Sequence, residues 1–481
     1  MAENKGKNNA KPLVMKFGGT SVGSADAIKQ AVNIITEHHQ QHPRLVVVAS
    51  AMSGITNRLL FCANAAAEGN WNDYTQGISA IENQHIQTIS ALGLSESILH
   101  PLTADIRAII KQLRNYCASI ETMGEVTRRG LDAIASLGER MNVRQISALL
   151  NEKKIDNKVV EADSLIITDA AFQNAKPKRK QTLERSQSVL APLLDAGVIP
   201  VVTGFIGATE KGIPTTLGRG GSDYSASILG DCLHAEAVWT WTDVDGVMTA
   251  DPRIVSDARV IERLSFDEVS EMAYFGAKVL HPKTMRPLIE SNIPLWVKNT
   301  FNPSHPGTCI SNQPSKKVGK ITCVTAIPDV SLITVRGKGM LGVPGVAART
   351  FSAVANKNAS VLMISQSSSE QSICFVIPSH DEQNVVASLQ QELAYELDRG
   401  DIDAIHAAPD VVIVTGIGAG MRNTPGVSAK IFSAVGAKNI NIIAIAQGSS
   451  EYSISIVVNK KDADETVRQI HTEVIINGKK E

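Results

Sequence analysis

The sequence predicts an α/β chain, a layered domain on a parallel sheet followed by two smaller α/β units, and three observations predict it. Leu13–Phe17 and Leu45–Ala49 are short apolar runs that end in small or glycine residues, and between them Asp26–His38 sets Ile28, Val32 and Ile35 at helical spacing. A strand–helix–strand unit of this kind joins parallel neighbours. Strand-like runs return at Val159–Glu161, Ile199–Thr203 and Val238–Thr242 with helical stretches between them, so the layered domain extends over residues 12–312. The third observation is an internal repeat: Gly339–Ile373 aligns without a gap on Gly420–Ile454, an offset of 81 residues, and 19 of the 35 positions are identical. Self-similarity of this kind marks a duplicated structural unit.

In chain order, residues 1–11 are polar and lysine-bearing with no apolar run behind them, and are expected to be a disordered tail rather than a signal peptide. After the layered domain, Pro303, Pro306 and Pro314 among Ser, Asn and Gly mark a linker. Residues 313–328 are assigned to that linker and a strand, and residues 329–400 and 401–481 to the two repeats. Each copy reads strand (Leu332–Val335; Val411–Thr415), glycine turn, helix (Gly345–Lys357; Gly426–Lys438), strand, tight turn, strand (Ser372–Ile377; Ser453–Val458), helix. One copy offers a single sheet face, and two can join edges and bury more. Neither copy gathers an acid, a base and a nucleophile, so the repeats are expected to bind or regulate.

Composition limits the alternatives. A chain of 481 residues with 43% hydrophobic content holds several cores, and its net charge of −1 provides no global field for nucleic acid or an anionic membrane surface. The six cysteines are scattered with no C-x-x-C pair, which suits free thiols in a reducing cytoplasm. No apolar run approaches the roughly 20 residues of a membrane span. The basic run Lys176–Lys180 reads as a solvated or phosphate-facing loop. His38, His39 and His42 lack a carboxylate or cysteine partner on the polar end of a helix, so no metal site is assigned.

Three segments carry the chemistry. Lys16-Phe17-Gly18-Gly19-Thr20-Ser21 follows the first strand and opens the first helix. Paired glycines let backbone N–H groups approach phosphate oxygens, and Lys16 can add a point charge, although a Gly-Gly pair serves equally as a plain tight turn. The P-loop spacing is absent. Thr215-Thr216-Leu217-Gly218-Arg219-Gly220-Gly221-Ser222-Asp223-Tyr224 is richer, with three glycines, a guanidinium fork and an acid just before the helical stretch Ser225–Gly230. Its alternative is a solvated loop. Trp241-Thr242-Asp243-Val244-Asp245-Gly246 closes a strand, where ligands bind in parallel sheets, or is an acidic turn.

Taken together, VMKFGGTSV (14–22), VASAMSGITN (48–57), SLGERMN (136–142), VTGFIG (202–207), TTLGRGGSDYSA (215–226), WTDVDGV (241–247), TADPR (249–253) and FGAKVLHPKT (275–284) resemble the amino-acid kinase family, and within it the aspartate kinases. The repeats resemble tandem ACT domains. The resemblance implies a three-layer αβα sandwich with an eight-stranded, mainly parallel sheet, then two βαββαβ ACT units interleaved so that the strand Ile321–Thr325 completes the second. It implies transfer of the γ-phosphoryl of ATP, with Mg²⁺, to the side-chain carboxylate of L-aspartate, the first step towards lysine, threonine and methionine.

By the same resemblance Lys16 and Asp223 are the catalytic pair, with Asp223 orienting Lys16. Ser50, Thr56, Glu139, Arg219 and Ser222 hold aspartate: Arg219 takes the α-carboxylate and Glu139 the α-ammonium. Lys16, Gly18, Gly19, Ser21, Thr242, Asp243, Arg253 and Lys278 bind ATP. Met248 stands where some relatives carry tyrosine near the adenine, which implies altered nucleotide affinity. Gln366 and Gln447 are the effector residues, with threonine expected over lysine because neither loop offers an acid for a distal ammonium beyond Glu370 and Glu451. A homodimer or homotetramer through the ACT units is expected. Two other readings are a kinase of this fold for a different carboxylate and an inactive amino-acid-sensing subunit; a fused homoserine dehydrogenase does not fit the length. His281 is expected to be structural.

Overall fold

The computed structural model describes residues 10–277, 280–313, 321–340, 343–366 and 372–476. The expected disordered tail lies outside them apart from Ala10 and Lys11, as does residue Lys278. The chain folds as two compact units.

The first unit is built on strands β1 (Leu13–Phe17), β2 (Leu45–Ala49), β3 (Asn157–Val160), β4 (Ile167–Thr168), β5 (Ile199–Thr203), β6 (Ile206–Thr209), β7 (Pro214–Thr216), β8 (Ala237–Thr242), β9 (Arg263–Ser265), β10 (Leu295–Asn299) and β11 (Thr308–Ser311). Among the described residues eight of them form one sheet in the order β3-β5-β2-β1-β8-β10-β11-β9. Every neighbouring pair is parallel except β10 and β11. β1 and β2 are buried at every position, as strands covered on both faces must be. One face packs on the helices Ala25–Gln41 and Leu137–Glu152 through Ile28, Val32, Ile35, Val143 and Ile146. On the opposite side the helix Gly221–Cys232 approaches so closely that a Cβ at Gly230 would lie 2.6 Å from Val238 Cγ2. The three-layer αβα arrangement follows. The helices Ile55–Ala67, Trp71–Leu92 and Glu96–Met123 bury a further apolar cluster around Leu59, Ile81 and Leu113. β4, β6 and β7 make a small side sheet that the sequence reading did not anticipate.

The second unit contains β12 (Cys323–Arg336), β13 (Met363–Gln366), β14 (Ser372–Pro378), β15 (Ala404–Ile417), β16 (Ala444–Gln447) and β17 (Ser453–Asn459), in the order β13-β14-β12-β15-β17-β16. β12 and β15 are long antiparallel partners shared by both repeats. Val330–Arg336 pairs with β14, whereas Cys323–Ile327 pairs with Ile413–Ile417 across a register shift. The segment before the first repeat thus completes the second one. Each repeat has its own core, Ile333, Val354, Phe375 and Leu389 in one, Val414, Ile431, Ile456 and Val467 in the other. Met248–Ile261, and a stretch beginning at Asp267, also cluster with this unit, and Ala250 and Val255 enter the second core.

Candidate active site

A cleft of about 490 Å³ opens at the carboxyl ends of β1, β2 and β5. Lys16 reaches it from β1, only 7% exposed, with Nζ 2.6 Å from Asp223 Oδ1. Asp223 lies in the first turn of the helix Gly221–Cys232, where the unpaired N–H groups favour a carboxylate. That helix begins four residues earlier than the sequence suggested. Gly220, left-handed at φ 70°, turns the chain so that Gly221 can start it. Ser222 therefore stands on the helix, not in the preceding loop.

The loop after β2 brings Ser50 and, at the start of the helix Ile55–Ala67, Thr56. Asn142 Nδ2 donates to the Ser50 carbonyl at 2.6 Å and pins that loop. Gln145, one turn on, bonds His85 Nδ1 at 2.9 Å; burial depresses this imidazole to about 4 and keeps it neutral. Glu139 enters from the first turn of the helix Leu137–Glu152 and is 3% exposed. Burial pushes its carboxyl up to about 8, against backbone hydrogen bonds from Ala51 and Glu139 itself. Its Oε2 finds no donor among the described residues. Arg219 lines the same cleft and is exposed, with no ion-pair partner among the described residues. The cleft thus sets a buried carboxyl with one unpartnered oxygen, a guanidinium and an ammonium–carboxylate pair around one space, a pattern complementary to a small zwitterion with an additional anionic group.

The other expected residues divide. Gly19 lines the cleft, and Gly18 sits beside the lysine, 3.7 Å from Nζ to its ideal Cβ position. Ser21 does not line it: the buried hydroxyl donates to Trp241 O at 3.1 Å and accepts from Thr300 Oγ1 at 2.7 Å. Thr242 and Asp243 close β8, hydrogen-bonded to each other at 3.0 Å. Arg253 belongs to the second unit, where its guanidinium is held by Asp251 two residues away. Met248 is also there, bridged to Val260. Gln366 and Gln447 end β13 and β16 at matching positions, both exposed. Glu370 is outside the described residues, whereas Glu451 accepts from the Asn423 N–H at 2.7 Å. His281 caps a helix, its Nδ1 accepting from the Lys283 N–H at 3.2 Å. Lys178 and Arg179 of the basic run pair with Glu210 and with Asp231 and Glu290.

Asp132, Gln173 and Phe205 are among the lining residues to which the sequence reading gave no role, alongside Leu60, Leu131 and Ala135. Gln173 and Phe205 adopt φ of 70° and 67°, a conformation costly for side chains of their size. Asp132 interrupts the apolar face formed with Leu131, Ile134 and Ala135, the one signal that could have exposed it.

Residues 11–299 match the amino acid kinase family, and residues 333–393 and 414–474 each match the ACT domain. The bifunctional aspartokinase/homoserine dehydrogenase 2 of Arabidopsis thaliana is 35% identical over 96% of this chain and 51% of its own length. The chain spans about half the length of the first curated relatives it matches. Aspartokinase 3 of the same plant, a chloroplastic protein, is 34% identical over 95% of this chain and 81% of its own. Among solved structures, E. coli aspartokinase III in complex with aspartate and ADP superposes with a TM-score of 0.78 at 29% identity, covering 97% of this chain and 100% of that one. Its complex with lysine and aspartate gives 0.78 at 30% identity, covering 96% and 99%. No helix among the described residues is long and apolar enough to cross a membrane. On these matches the chain belongs to the amino acid kinase family and, within it, to the aspartokinases.

Proposed function

We propose that the chain transfers the γ-phosphoryl of ATP to the β-carboxylate of L-aspartate, giving 4-phospho-L-aspartate at the head of lysine, threonine and methionine synthesis. The observation that carries this reading is the buried Glu139 carboxyl with an unpartnered oxygen, in the same cleft as Arg219 and the Lys16–Asp223 pair. Glu139 takes the α-ammonium and Arg219, with Ser222 nearby, the α-carboxylate, while Ser50 and Thr56 help fix the side chain. The nucleophile is a carboxylate with an ordinary pKa of about 3.9, so it is already ionised and needs no general base. Catalysis then consists of aligning two anions and neutralising charge on the moving phosphoryl. Lys16 does the latter; Asp223, in ion-pair contact, keeps its ammonium aimed.

Gly18 and Gly19 follow the phosphates, and Thr242 and Asp243 serve the nucleotide. Mg²⁺ arrives with ATP. Among the described residues no group of three or more His, Cys, Asp or Glu could hold an ion. The cation would be ligated mainly by phosphate and water and would supply charge neutralisation. The relative solved with aspartate and ADP supports both substrates. Arg219→Ala and Glu139→Ala should raise KM for aspartate by at least about tenfold, whereas Lys16→Ala should act mainly on kcat. An Arg219→Ala enzyme with wild-type KM for aspartate contradicts the assignment.

The ACT units are read as the sensor of an amino-acid effector, threonine over lysine, with Gln366 and Gln447 as matched contacts. Glutamine offers two donors and an acceptor to a hydroxyl and a backbone-like group. Assembly into a homodimer or homotetramer through the ACT units is part of the same reading. Six free cysteines suit a reducing compartment such as the cytoplasm. Calorimetry with threonine and lysine on wild type, Gln366→Ala and Gln447→Ala tests the effector. Threonine heat lost in the variants is expected. Lysine inhibition that survives both substitutions, with no threonine heat, moves the effector site elsewhere.

A further inference from the structure

Arg219 has no ion-pair partner among the described residues, so its position depends on the backbone that bears it. One of the anchors of that backbone is a buried carboxylate. Asp132, on the short helix Arg128–Ala135, is 1% exposed. Its two oxygens accept from the Thr216 N–H at 2.9 Å, the Thr216 hydroxyl at 2.7 Å and the Gln173 N–H at 3.0 and 3.1 Å. Both N–H groups can only donate and the hydroxyl is able to, which suits an ionised carboxylate, while burial pushes the Asp132 carboxyl above its usual range against these bonds. Thr216 ends β7, three residues before Arg219.

Gln173 is held in a left-handed conformation in a second loop that lines the same cleft. The two loops touch backbone to backbone: a Cβ at Gly218 would lie 2.9 Å from Gln173 O, and the Ala175 N–H donates to Thr216 O at 3.0 Å. Lys283 Nζ joins them from a different helix, donating to Asn174 Oδ1 at 2.7 Å and Leu217 O at 3.3 Å. Two separated segments therefore converge on one buried carboxylate, and Lys283 ties them to each other.

We propose that Asp132 is a positioning residue for the substrate carboxylate: by holding the main chain at Thr216 and Gln173 it fixes the guanidinium of Arg219 and presents Gln173 to the substrate. The inference rests on the aspartate-kinase reading. It makes Asp132 act through another residue, since its own oxygens are filled by the chain. Misplacing a binding group by about 1 Å can cost on the order of 100-fold in rate.

The test is steady-state kinetics of Asp132→Asn and Thr216→Val on the full chain, together with amide hydrogen exchange. Asparagine keeps the shape but replaces one acceptor oxygen with a donor that faces N–H groups. Valine removes only the hydroxyl donor and protects against an asparagine variant that fails to fold. Asp132→Asn should raise KM for aspartate about tenfold or more and leave KM for ATP within about twofold. Thr216→Val should move it the same way by less, and the Gln173 and Thr216 amides should exchange faster in Asp132→Asn. An unchanged KM for aspartate in both variants overturns the proposal. So does a common fall in kcat, both affinities and melting temperature, which is the signature of general destabilisation. Should wild type fail to turn over aspartate, the kinase reading falls instead, and the exchange rates alone decide whether Asp132 clamps the two loops.

Discussion

Glu139 sits where ionisation is costly, and that cost gives the site a pH signature. Its carboxyl titrates near 8 in the empty cleft because burial disfavours the charge. An ammonium binds only the ionised form, so below that value aspartate binding must expel a proton. KM for aspartate should therefore fall with rising pH, by up to about tenfold per unit below pH 8, and level off above it. Glu139→Gln should abolish the slope; a flat wild-type profile would exclude Glu139 as the ammonium partner. The stability effect has the opposite sense. Because the folded value lies above the ordinary 4.5, stability present below pH 4.5 is lost as pH rises through 8. Glu139→Gln should thus melt higher than wild type near about pH 9 and similarly near pH 5. Lys16, Arg219 and Asp223 stood out because their segments hold residue types that suit anions, whereas Glu139 was reached only through the family resemblance. Asp132 was not legible, since a lone acid on an amphipathic helix reads as surface until a fold covers it.

At the scale of elements, glycine geometry carries the most information about the site. Gly218 is left-handed at φ 77° with Gln173 O 2.9 Å and Asn174 Oδ1 3.1 Å from where a Cβ would lie. Gly212 is left-handed too, but nothing lies within 4 Å of its Cβ position. Gly212→Ala should cost about 1–2 kcal/mol, the ordinary penalty for an L residue there. Gly218→Ala should cost more and raise KM for aspartate, because the neighbouring loop must move. Equal costs with unaltered kinetics would show that loop to be slack. Both costs are read from denaturant melts. Strands β1, β2 and β5 were legible to the residue, since buried parallel strands are uninterrupted apolar runs closed by small residues. The start of the helix at Gly221 was not, because its glycines look like loop until Gly220 and the packing of Phe205 on Gly221 are seen. A Cβ at Gly221 would meet the Phe205 ring at 2.4 Å.

The whole molecule divides its burial between two compact units, and the sequence revealed the second through its repeat rather than its hydrophobicity. Constant spacing over 81 residues exposes duplication. It is silent on strand exchange, which the family resemblance implied and which β12 and β15 display by serving both copies. Nor could periodicity assign Ala250 and Val255 to the second core, because an apolar pattern says that a residue is buried, not which core buries it. Phosphoryl transfer to the aspartate side chain is read out in a single assay. Purified full-length protein is incubated with Mg-ATP and hydroxylamine, with L-aspartate, L-glutamate or N-acetylglutamate as acceptor, and the acyl hydroxamate is quantified. The account predicts aspartyl hydroxamate in step with ADP release, and little product from the other two acids. Turnover of glutamate or N-acetylglutamate without aspartate would contradict it.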